Sequence, residues 1–272
     1  MSKTSETWDF LSFLLKLAVF VLVIRSFIIS QFNIPSESMQ PRLLIGDYLL
    51  VSKWPYGYSR YSLPMNANLF EGRIFARTPE RGDVVVFASP GNPKEDWIKR
   101  VIGLPGDRIQ VREGMLFING RRIAKERIAD LILPVTPNMI AAAERDNASS
   151  PCFQPSYEFT DDTGERQCRY PRFHETLPNG KSYDVLDLFD GPVDDTPVYV
   201  VPKGDVFVMG DNRDRSADSR IAVENGGVGL LPIDHLIGRA QFSFFSTDGS
   251  ARWLMPWTWF SATRFSRIGE GF

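Results

Sequence analysis

Histidine is nearly absent from this sequence, which holds only His174 and His235 among its 272 residues. A serine hydrolase of the Ser-His-Asp type needs a histidine base, and its α/β-hydrolase form places the serine in a Gly-x-Ser-x-Gly turn. The sequence contains no such turn, His174 lies in a polar region without clear periodicity, and His235 lies beside a predicted strand. These observations argue against a histidine-based triad.

An excess of basic charge is also missing. The chain has 31 Lys and Arg residues against 33 Asp and Glu residues, for a net charge of −2. Proteins that bind nucleic acid through its phosphates carry a basic surface, so nucleic acid is not an expected partner. The charge balance also excludes an acidic disordered chain, and the 43% hydrophobic content is enough to bury a core in one large or two smaller domains.

Cysteine is scarce as well, with only Cys152 and Cys168. Together with His174 they do not fall at a spacing common in zinc sites, so no metal is expected. In a reducing compartment the two thiols would stay free. In an oxidising one they could close a loop that stabilises the fold by about 3 kcal/mol. The sequence leaves both alternatives open.

A long apolar run near the amino terminus is the strongest compositional feature. From Phe10 to Ile29 its polar residues are Ser12, Lys16, Arg25 and Ser26. The run has about the 20 residues that a bilayer-spanning helix needs, and long basic side chains can extend to the interface. A cleaved signal peptide would be followed by an Ala-x-Ala site, and none is present. We therefore interpret residues 10–30 as an uncleaved single-pass membrane helix, after a tail at 1–9.

The rest of the chain is typical of a mainly β protein, with 19 Pro and 21 Gly residues that indicate many turns. Turn-bounded apolar runs predict two strands within 43–53, and further strands within 81–87, 96–107, 111–122, 205–220 and 236–245. Residues 54–80 are interpreted as an extended loop. Residues 123–197 are polar, Pro-rich and irregular, which indicates an inserted subdomain or a set of long loops.

The tail, RWLMPWTWFSATRF at 252–265, carries three of the six tryptophans. Two interpretations stay open for it. It forms a final strand that closes the core, or it presents an apolar surface to the membrane interface, where tryptophan is common.

Two stretches carry residues suited to chemistry without histidine. In FNIPSESMQPRLL, Ser36 and Ser38 lie between two prolines, which restrict the loop. In WIKRV, strand alternation places Lys99 on a face with Trp97 and Val101. A lysine acts as a base near pH 7 only if its pKa falls from about 10.4 to near 7, and burial alone can lower it that far. On spacing alone, a solvated Lys99 at a strand edge is the simpler interpretation.

A third polar stretch is GDNRDRSADSR at 210–220, in which Asp and Arg alternate around Ser216. Surface ion pairs in a solvated loop are one interpretation, each worth at most about 1 kcal/mol. A set of side chains that orients a catalytic group is the other.

Taken in order, these stretches resemble the boxes of the type I signal peptidase family, the membrane-bound leader peptidases. IPSESMQPRLLIGD resembles the box of the nucleophilic serine, RGDVVVF the next box, WIKRVIGLPGD the box of the lysine base, and GDNRDRSADSR the last box. A membrane anchor just before the first box also fits. The matched boxes cover about 32–53, 81–107 and 205–240. Glu37 and Arg42 depart from the pattern, since a small residue and a threonine are common there. We expect Glu37 to point outward.

The resemblance implies a mechanism and a set of site residues. Ser38 would attack the scissile carbonyl and neutral Lys99 would act as general base, while the Ser38 backbone N–H and the Ser36 hydroxyl would hold the oxyanion. Ser216 would hydrogen-bond Lys99. The supporting residues would be Asp218, Arg220, Arg100 and Asp211. The pockets for small substrate side chains would be lined by Phe32, Ile34, Met39, Leu43, Trp97, Ile98 and Ala217.

The resulting expectation is a catalytic β domain at 31–110 and 204–250, interrupted by an inserted subdomain and loops at 111–203 and followed by the Trp-rich segment 251–272. Its expected function is removal of signal peptides after Ala-x-Ala sites in the bacterial inner membrane, with the catalytic domain on the periplasmic side. Its partners would be secretory preproteins and the lipid bilayer, with no cofactor. The alternatives are a Ser-Lys self-cleaving regulator, a peptidase dedicated to one substrate, and a non-catalytic membrane-tethered binding domain.

Overall fold

A long apolar helix precedes the β domain. In the computed structural model, which describes residues 3–63, 66, 69–252 and 254–272, helix α1 spans Lys3–Val23 and continues as a π-helical turn at Ile24–Ile28. The stretch Thr7–Ile28 has a mean hydropathy of 2.3 and only 6% of it is buried. It is the one helix in the described residues that is long enough and apolar enough to cross a membrane.

The domain that follows is built almost entirely from strands, which confirms the mainly β prediction. Seventeen strands occur in the described residues: β1 Ile29–Asn33, β2 Asp47–Ser52, β3 Tyr58–Ser59, β4 Arg73–Ile74, β5 Val84–Ala88, β6 Asp96–Gly103, β7 Arg108–Arg112, β8 Met115–Ile118, β9 Arg121–Arg122, β10 Ala124–Pro134, β11 Glu158–Thr160, β12 Arg166–Thr176, β13 Ser182–Leu186, β14 Tyr199–Val200, β15 Asp205–Met209, β16 Leu231–Pro232 and β17 Leu236–Ser246.

The largest sheet has seven antiparallel strands in the order β1-β2-β17-β5-β6-β15-β16. Its β-branched strand β5 is buried throughout, because one face packs in a cluster around Met39 and Leu43 and the other in a cluster around Phe87 and Val208. A burial of this kind explains the continuous apolar run in the sequence, since both faces of the strand are covered.

The first half of β6 has a neighbour on only one side. Strand β5 pairs with Asp96–Arg100 of β6, whereas β15 begins to pair with it only at Arg100. Strand β1 is the end strand of the same sheet. Two open backbone edges, one in β6 and one in β1, are therefore available beside the loop that follows β1.

Two smaller sheets lie between β6 and β15 in the sequence. One has the order β14-β7-β8-β9 and packs around Ile109 and Leu116. The other, which we call the inserted sheet, consists of β10, β12, β11 and β13. Its two long strands pair from Ala124 to Pro134, with one irregularity. The region is thus more regular than its polar, Pro-rich composition suggests.

The inserted sheet carries one helix and one disulfide. Helix α2 spans Pro137–Arg145 and is capped by Thr136, whose side chain accepts a hydrogen bond from the Met139 N–H. Cys152 and Cys168 are bonded, with their Cα atoms 5.4 Å apart and a sequence separation of 16 residues. The structure therefore selects the bridged alternative. Both sulfurs lie in a buried cluster that includes Tyr170.

One local prediction is wrong. Residues 43–53 contain one strand, β2, and not two, because residues before Asp47 form the turns that close the loop after β1. For the tail, two interpretations were open, and its described residues contain no final strand: helix α3 spans Trp257–Ala262, and Trp257 and Phe260 are 70% and 77% exposed. Residues beyond α3 return to the sheet through Arg264 and Arg267, which bind the buried Asp47 carboxylate.

Candidate active site

A serine from the loop between β1 and β2 meets a lysine of β6 beside the open edge of that strand. The Nζ atom of Lys99 lies 2.9 Å from Oγ of Ser38, and both residues are buried. Lys99 Nζ also donates a hydrogen bond to the Ile98 carbonyl at 3.0 Å. The two residues are 61 positions apart in the sequence, so the fold brings them together.

The loop of Ser38 is closed at its base by backbone hydrogen bonds. The Ile34 N–H donates to the Asp47 carbonyl, and the Gly46 N–H donates back to Ile34. Gly46 has a φ of +92°, and a Cβ there would lie 2.1 Å from the Thr247 carbonyl oxygen, so only glycine fits. This closure holds the serine-bearing turn against β2.

Burial sets the protonation of Lys99. Desolvation lowers the pKa of its amine from the ordinary 10.5 to about 8, although Asp218 and Asp211 favour the charged form. At pH 7 about one lysine in ten with such a pKa is neutral, compared with a few in ten thousand for an unperturbed one. The buried strand position thus produces an amine that can accept a proton from Ser38.

Two groups that could donate hydrogen bonds to an oxyanion lie beside Ser38 Oγ: the Ser36 hydroxyl and the Ser38 N–H. Oγ of Ser36 lies 3.5 Å from Oγ of Ser38. The Glu37 carbonyl accepts a hydrogen bond from the Gln40 N–H at 3.0 Å, and in a trans peptide the Ser38 N–H points the opposite way. That N–H has no hydrogen-bond partner in the described part of the chain. It is free to bind an incoming oxygen.

The loop at 210–220 supplies paired charges behind the dyad. Asp211 forms a bidentate ion pair with Arg100, the neighbour of Lys99, at 2.8 and 2.6 Å. Asp218 pairs with Arg220 at 2.9 Å and accepts a hydrogen bond from the Gly210 N–H. Burial opposes ionisation of Asp218, but Arg220 and the backbone donors still hold its pKa below the usual value. The four residues thus form two buried ion pairs, and their supporting role stays a prediction.

Ser216 lies close to the dyad but does not make the expected contact. Its Oγ is buried and has no hydrogen-bond partner in the described residues, so the expected bond to Lys99 is not formed in this geometry. The side chain instead packs over Gly210, where a Cβ would lie 2.3 Å from Ser216 Oγ and 2.5 Å from the Ser38 carbonyl oxygen. Its role as an orienting residue stays a prediction.

A groove of about 590 Å³ runs past Ser38 between β1 and the open half of β6. Five of the seven predicted pocket residues line it: Phe32, Ile34, Trp97, Ile98 and Ala217. Met39 and Leu43 do not. Both are fully buried in the core cluster beneath the loop, since the turn after Ser38 directs them inward.

Other lining residues were missed by sequence reasoning. Val86 lies opposite Ile98 in the β5–β6 pair, which the alternation of the two strands would have indicated. Arg145 and Asp146 come from the end of α2, and Arg215 from the polar loop. No local pattern points to the α2 residues, because the tertiary fold alone carries that helix to the groove.

The two departures from the family pattern each have a partner. Glu37 does not point outward: Oε1 lies 2.5 Å from Nε of Arg215, and the two side chains are 18% and 26% exposed. Arg42 pairs with Glu270 at 3.3 Å and hydrogen-bonds the Gly271 carbonyl. The structure thus corrects the expectation for Glu37.

One group of acids in the described residues comes close enough to hold a cation. Ligand atoms of Asp187, Asp194 and Asp214 lie within 4.8 Å of one another, and Lys125 pairs with Asp187. Desolvation raises the pKa of Asp214 to about 6. None of these residues lines the groove beside Ser38.

Most of the chain matches a known protein family and several known proteins. The profile of the family described as signal peptidase, peptidase S26, matches residues 7–245. The signal peptidase I of Rickettsia typhi is 37% identical over 257 residues, which cover 90% of this chain and 83% of the relative. That of Rickettsia prowazekii is 38% identical over 235 residues, covering 83% and 75%.

One further relative and one solved structure also match this chain. The signal peptidase I of Rickettsia bellii is 36% identical over 287 residues, covering 97% of this chain and 84% of the relative. A crystal structure of a signal peptidase I from Enterococcus faecalis aligns with 60% of this chain and 97% of its own at 24% identity, with a TM-score of 0.30. The family match over most of the chain shows that this protein is a peptidase that belongs to the signal peptidase family, peptidase S26.

Proposed function

We propose that this protein is a membrane-anchored serine endopeptidase that removes signal peptides from exported preproteins by cutting after small-x-small sites. The observation that carries the proposal is the 2.9 Å contact between Ser38 Oγ and the buried Lys99 amine, at the side of an open groove. A serine and a neutral lysine are sufficient for acyl transfer without histidine or a cofactor.

The reaction would proceed in two stages. Ser38 Oγ attacks the scissile carbonyl carbon while Lys99 takes the hydroxyl proton, and the oxyanion is bound by the Ser38 N–H and the Ser36 hydroxyl. The charged lysine then gives that proton to the leaving amine, which leaves an ester on Ser38. In the second stage Lys99 deprotonates a water, which hydrolyses the ester and restores the serine.

The groove favours an extended substrate with small side chains. Its two walls are the free edges of β1 and of residues 96–99 in β6, so a peptide lying between them can hydrogen-bond as an added strand. Ile34, Val86 and Ile98 line the groove with apolar atoms. Shallow apolar pockets of this kind accept alanine and exclude larger side chains on steric grounds.

The membrane helix would bring this groove close to its substrate. Helix α1 and its π-helical end lead directly into β1, whose five residues span about 17 Å on the way to the Ser38 loop. A signal peptide inserted in the same bilayer could run along β1 toward Ser38. We place the catalytic domain on the outer side of the bacterial inner membrane, where the Cys152–Cys168 disulfide is favoured.

The test is cleavage of a preprotein with an Ala-x-Ala site by detergent-solubilised full chain. Wild type is expected to cut after the second alanine, as read by mass spectrometry, while Ser38→Ala and Lys99→Ala lose activity. Lys53→Ala is the matched control, because Lys53 is also buried and burial also lowers its pKa to about 8, but its amine binds the Ser62 carbonyl. It should keep activity.

Each other outcome points to a different correction. Cleavage by Ser38→Ala would mean that the nucleophile is assigned wrongly. Cleavage of a single preprotein out of a varied panel would favour the dedicated processing peptidase. Failure of folded wild type to cut any preprotein would favour the non-catalytic binding domain.

A further inference from the structure

The residue between the two active-site serines is fixed from outside the loop. Glu37 lies between Ser36 and Ser38, and its carboxylate forms an ion pair with Arg215 at 2.5 Å. Arg215 in turn directly precedes Ser216 in the polar loop. The pair therefore joins the loop of the nucleophile to the loop behind the lysine, at a point where both are only partly exposed.

Glu37 also supplies the carbonyl of the peptide group whose N–H, that of Ser38, is the expected oxyanion donor. The Ser38 N–H belongs to the planar peptide between Glu37 and Ser38, so its direction is set by the backbone of Glu37. The Gln40 N–H holds the carbonyl end of that peptide, and the ion pair holds the side chain on the preceding Cα. Rotation of this peptide would need both contacts to change.

The partner of Glu37 is itself held by the inserted sheet. The Arg215 guanidinium stacks over the Phe153 ring at 4.1 Å, and Phe153 follows the bridged Cys152 and stacks on Phe189. From the same side, Arg145 of α2 donates a hydrogen bond to the Pro35 carbonyl at 3.1 Å. The outer side of the serine loop thus rests on residues of the inserted region.

We infer that Glu37 and Arg215 are positioning residues, which act through the peptide between Glu37 and Ser38 to aim the Ser38 N–H at the oxyanion. This inference rests on the proposed function. Because an oxyanion donor acts mainly in the transition state, loss of the pair should lower kcat and leave KM nearly unchanged.

The experiment is a double-mutant cycle on preprotein cleavage with Glu37→Ala, Arg215→Ala and the double variant. Each single variant should lower kcat about 10-fold, since loss of a whole oxyanion donor costs about 10²–10³ and this pair only aims one. The double variant should also lose about 10-fold and not about 100-fold, because the two residues act as one unit. Glu37→Gln should recover kcat to within about 3-fold, as its amide oxygen still accepts from Arg215.

Two controls separate positioning from stability. The Arg166–Glu158 pair has the same 2.5 Å contact in the inserted sheet, away from the groove, and its double-alanine variant should keep wild-type kcat. The melting temperature of every variant is measured beside its kinetics. Equal kcat in Glu37→Ala and wild type, additive losses in the double variant, or losses that follow the melting temperature alone would each overturn the inference. An inactive wild type would overturn the proposed function with it.

Discussion

The seven-stranded sheet and the inserted sheet contribute to the active site in different ways. The large sheet carries the two proposed reacting groups: Ser38 follows its end strand and Lys99 lies in β6. In the described residues, no side chain of the inserted sheet hydrogen-bonds to Ser38 Oγ or Lys99 Nζ, but this sheet contacts the polar loop at 210–220. The proposed chemistry and the support of its loops therefore come from separate regions of the chain.

A buried ion pair links the inserted sheet to the polar loop at 210–220. Glu175 of β12 is fully buried and binds Arg213 of the polar loop at 2.7 and 2.6 Å, while Tyr183 donates to the same carboxylate. Arg213 also donates to the Gly210 carbonyl, beside Ser38. Leu186 of β13 also joins this loop: its N–H donates to the Asp211 carbonyl, and its carbonyl accepts from the Arg213 N–H. The inserted sheet is therefore joined to the polar loop at 210–220 by side-chain and backbone contacts.

The largest expected effect comes from the chemical side of the comparison. Lys99→Arg should lower kcat at least about 10³-fold, although it keeps the positive charge, because a guanidinium does not lose its proton near neutral pH. Cleavage assays with the solubilised protein measure it, and circular dichroism checks that the variant is folded. Near-normal activity in this variant would remove Lys99 as the base.

The next largest effect is a loss of stability caused by a substitution in the inserted sheet. Glu175→Ala should lower the free energy of unfolding by about 3–5 kcal/mol, because it leaves the Arg213 guanidinium buried without its partner. Chemical denaturation followed by fluorescence measures the loss. Glu158→Ala breaks a more exposed ion pair of the same sheet and should cost less than about 1 kcal/mol. Equal losses of unfolding free energy in the two variants would contradict a larger stabilisation by the Glu175–Arg213 pair.

A substitution at the meeting point of both regions should act on the rate. Gly210→Ala places a Cβ 2.3 Å from Ser216 Oγ and 2.5 Å from the Ser38 carbonyl, so the loops must separate. A displacement of about 1 Å at a reacting group costs about 10²-fold in kcat. The control is Gly91→Ala, whose Cβ would meet Val223 at an ordinary 3.5 Å. Comparable kcat values for the two variants would contradict a tight contact at Gly210.

The smallest effect is the pH dependence, which sharpens the assignment of the base. Since burial lowers the pKa of Lys99 to about 8, the neutral fraction rises as pH rises through that value. Activity should therefore increase about fivefold from pH 7 to pH 8 and level off above pH 9. The measurement is kcat/KM over that range with a substrate that lacks titrating groups. A rate that falls with rising pH would contradict a neutral lysine base.

Much of the site is predictable from the sequence because its chemistry is concentrated in short stretches. Ser36 and Ser38 stand in one proline-bounded loop, Lys99 stands in an apolar strand, and Asp218 and Arg220 are two positions apart. The strands of the large sheet are equally visible, since β-branched runs bounded by turns indicate them. The N-terminal helix that could cross a membrane is visible from its length and apolar composition alone.

Other features depend on contacts between residues far apart in the chain. Met39 and Leu43 lie in the core and not in the groove because the turn after Ser38 directs them inward, and no sequence pattern specifies that turn. Arg215, the partner of Glu37, is 178 positions away in the sequence. Glu175, the partner of Arg213, is 38 positions away in the inserted sheet. The regular strands of the inserted region are not predicted from the sequence. In β10, for example, the side chains alternate only between partly buried and exposed positions, so no buried apolar face marks the strand.

The sequence by itself determined the proposed reacting groups, the long apolar helix and the mainly β class, because each depends on residue types within a few positions of one another. Tertiary structure alone decided that the Lys99 amine is buried 2.9 Å from Ser38, and that Glu37, Arg145 and Glu175 support the loops around it. The physical reason is that burial and ion pairing are properties of packed surfaces, and only folding brings those surfaces together.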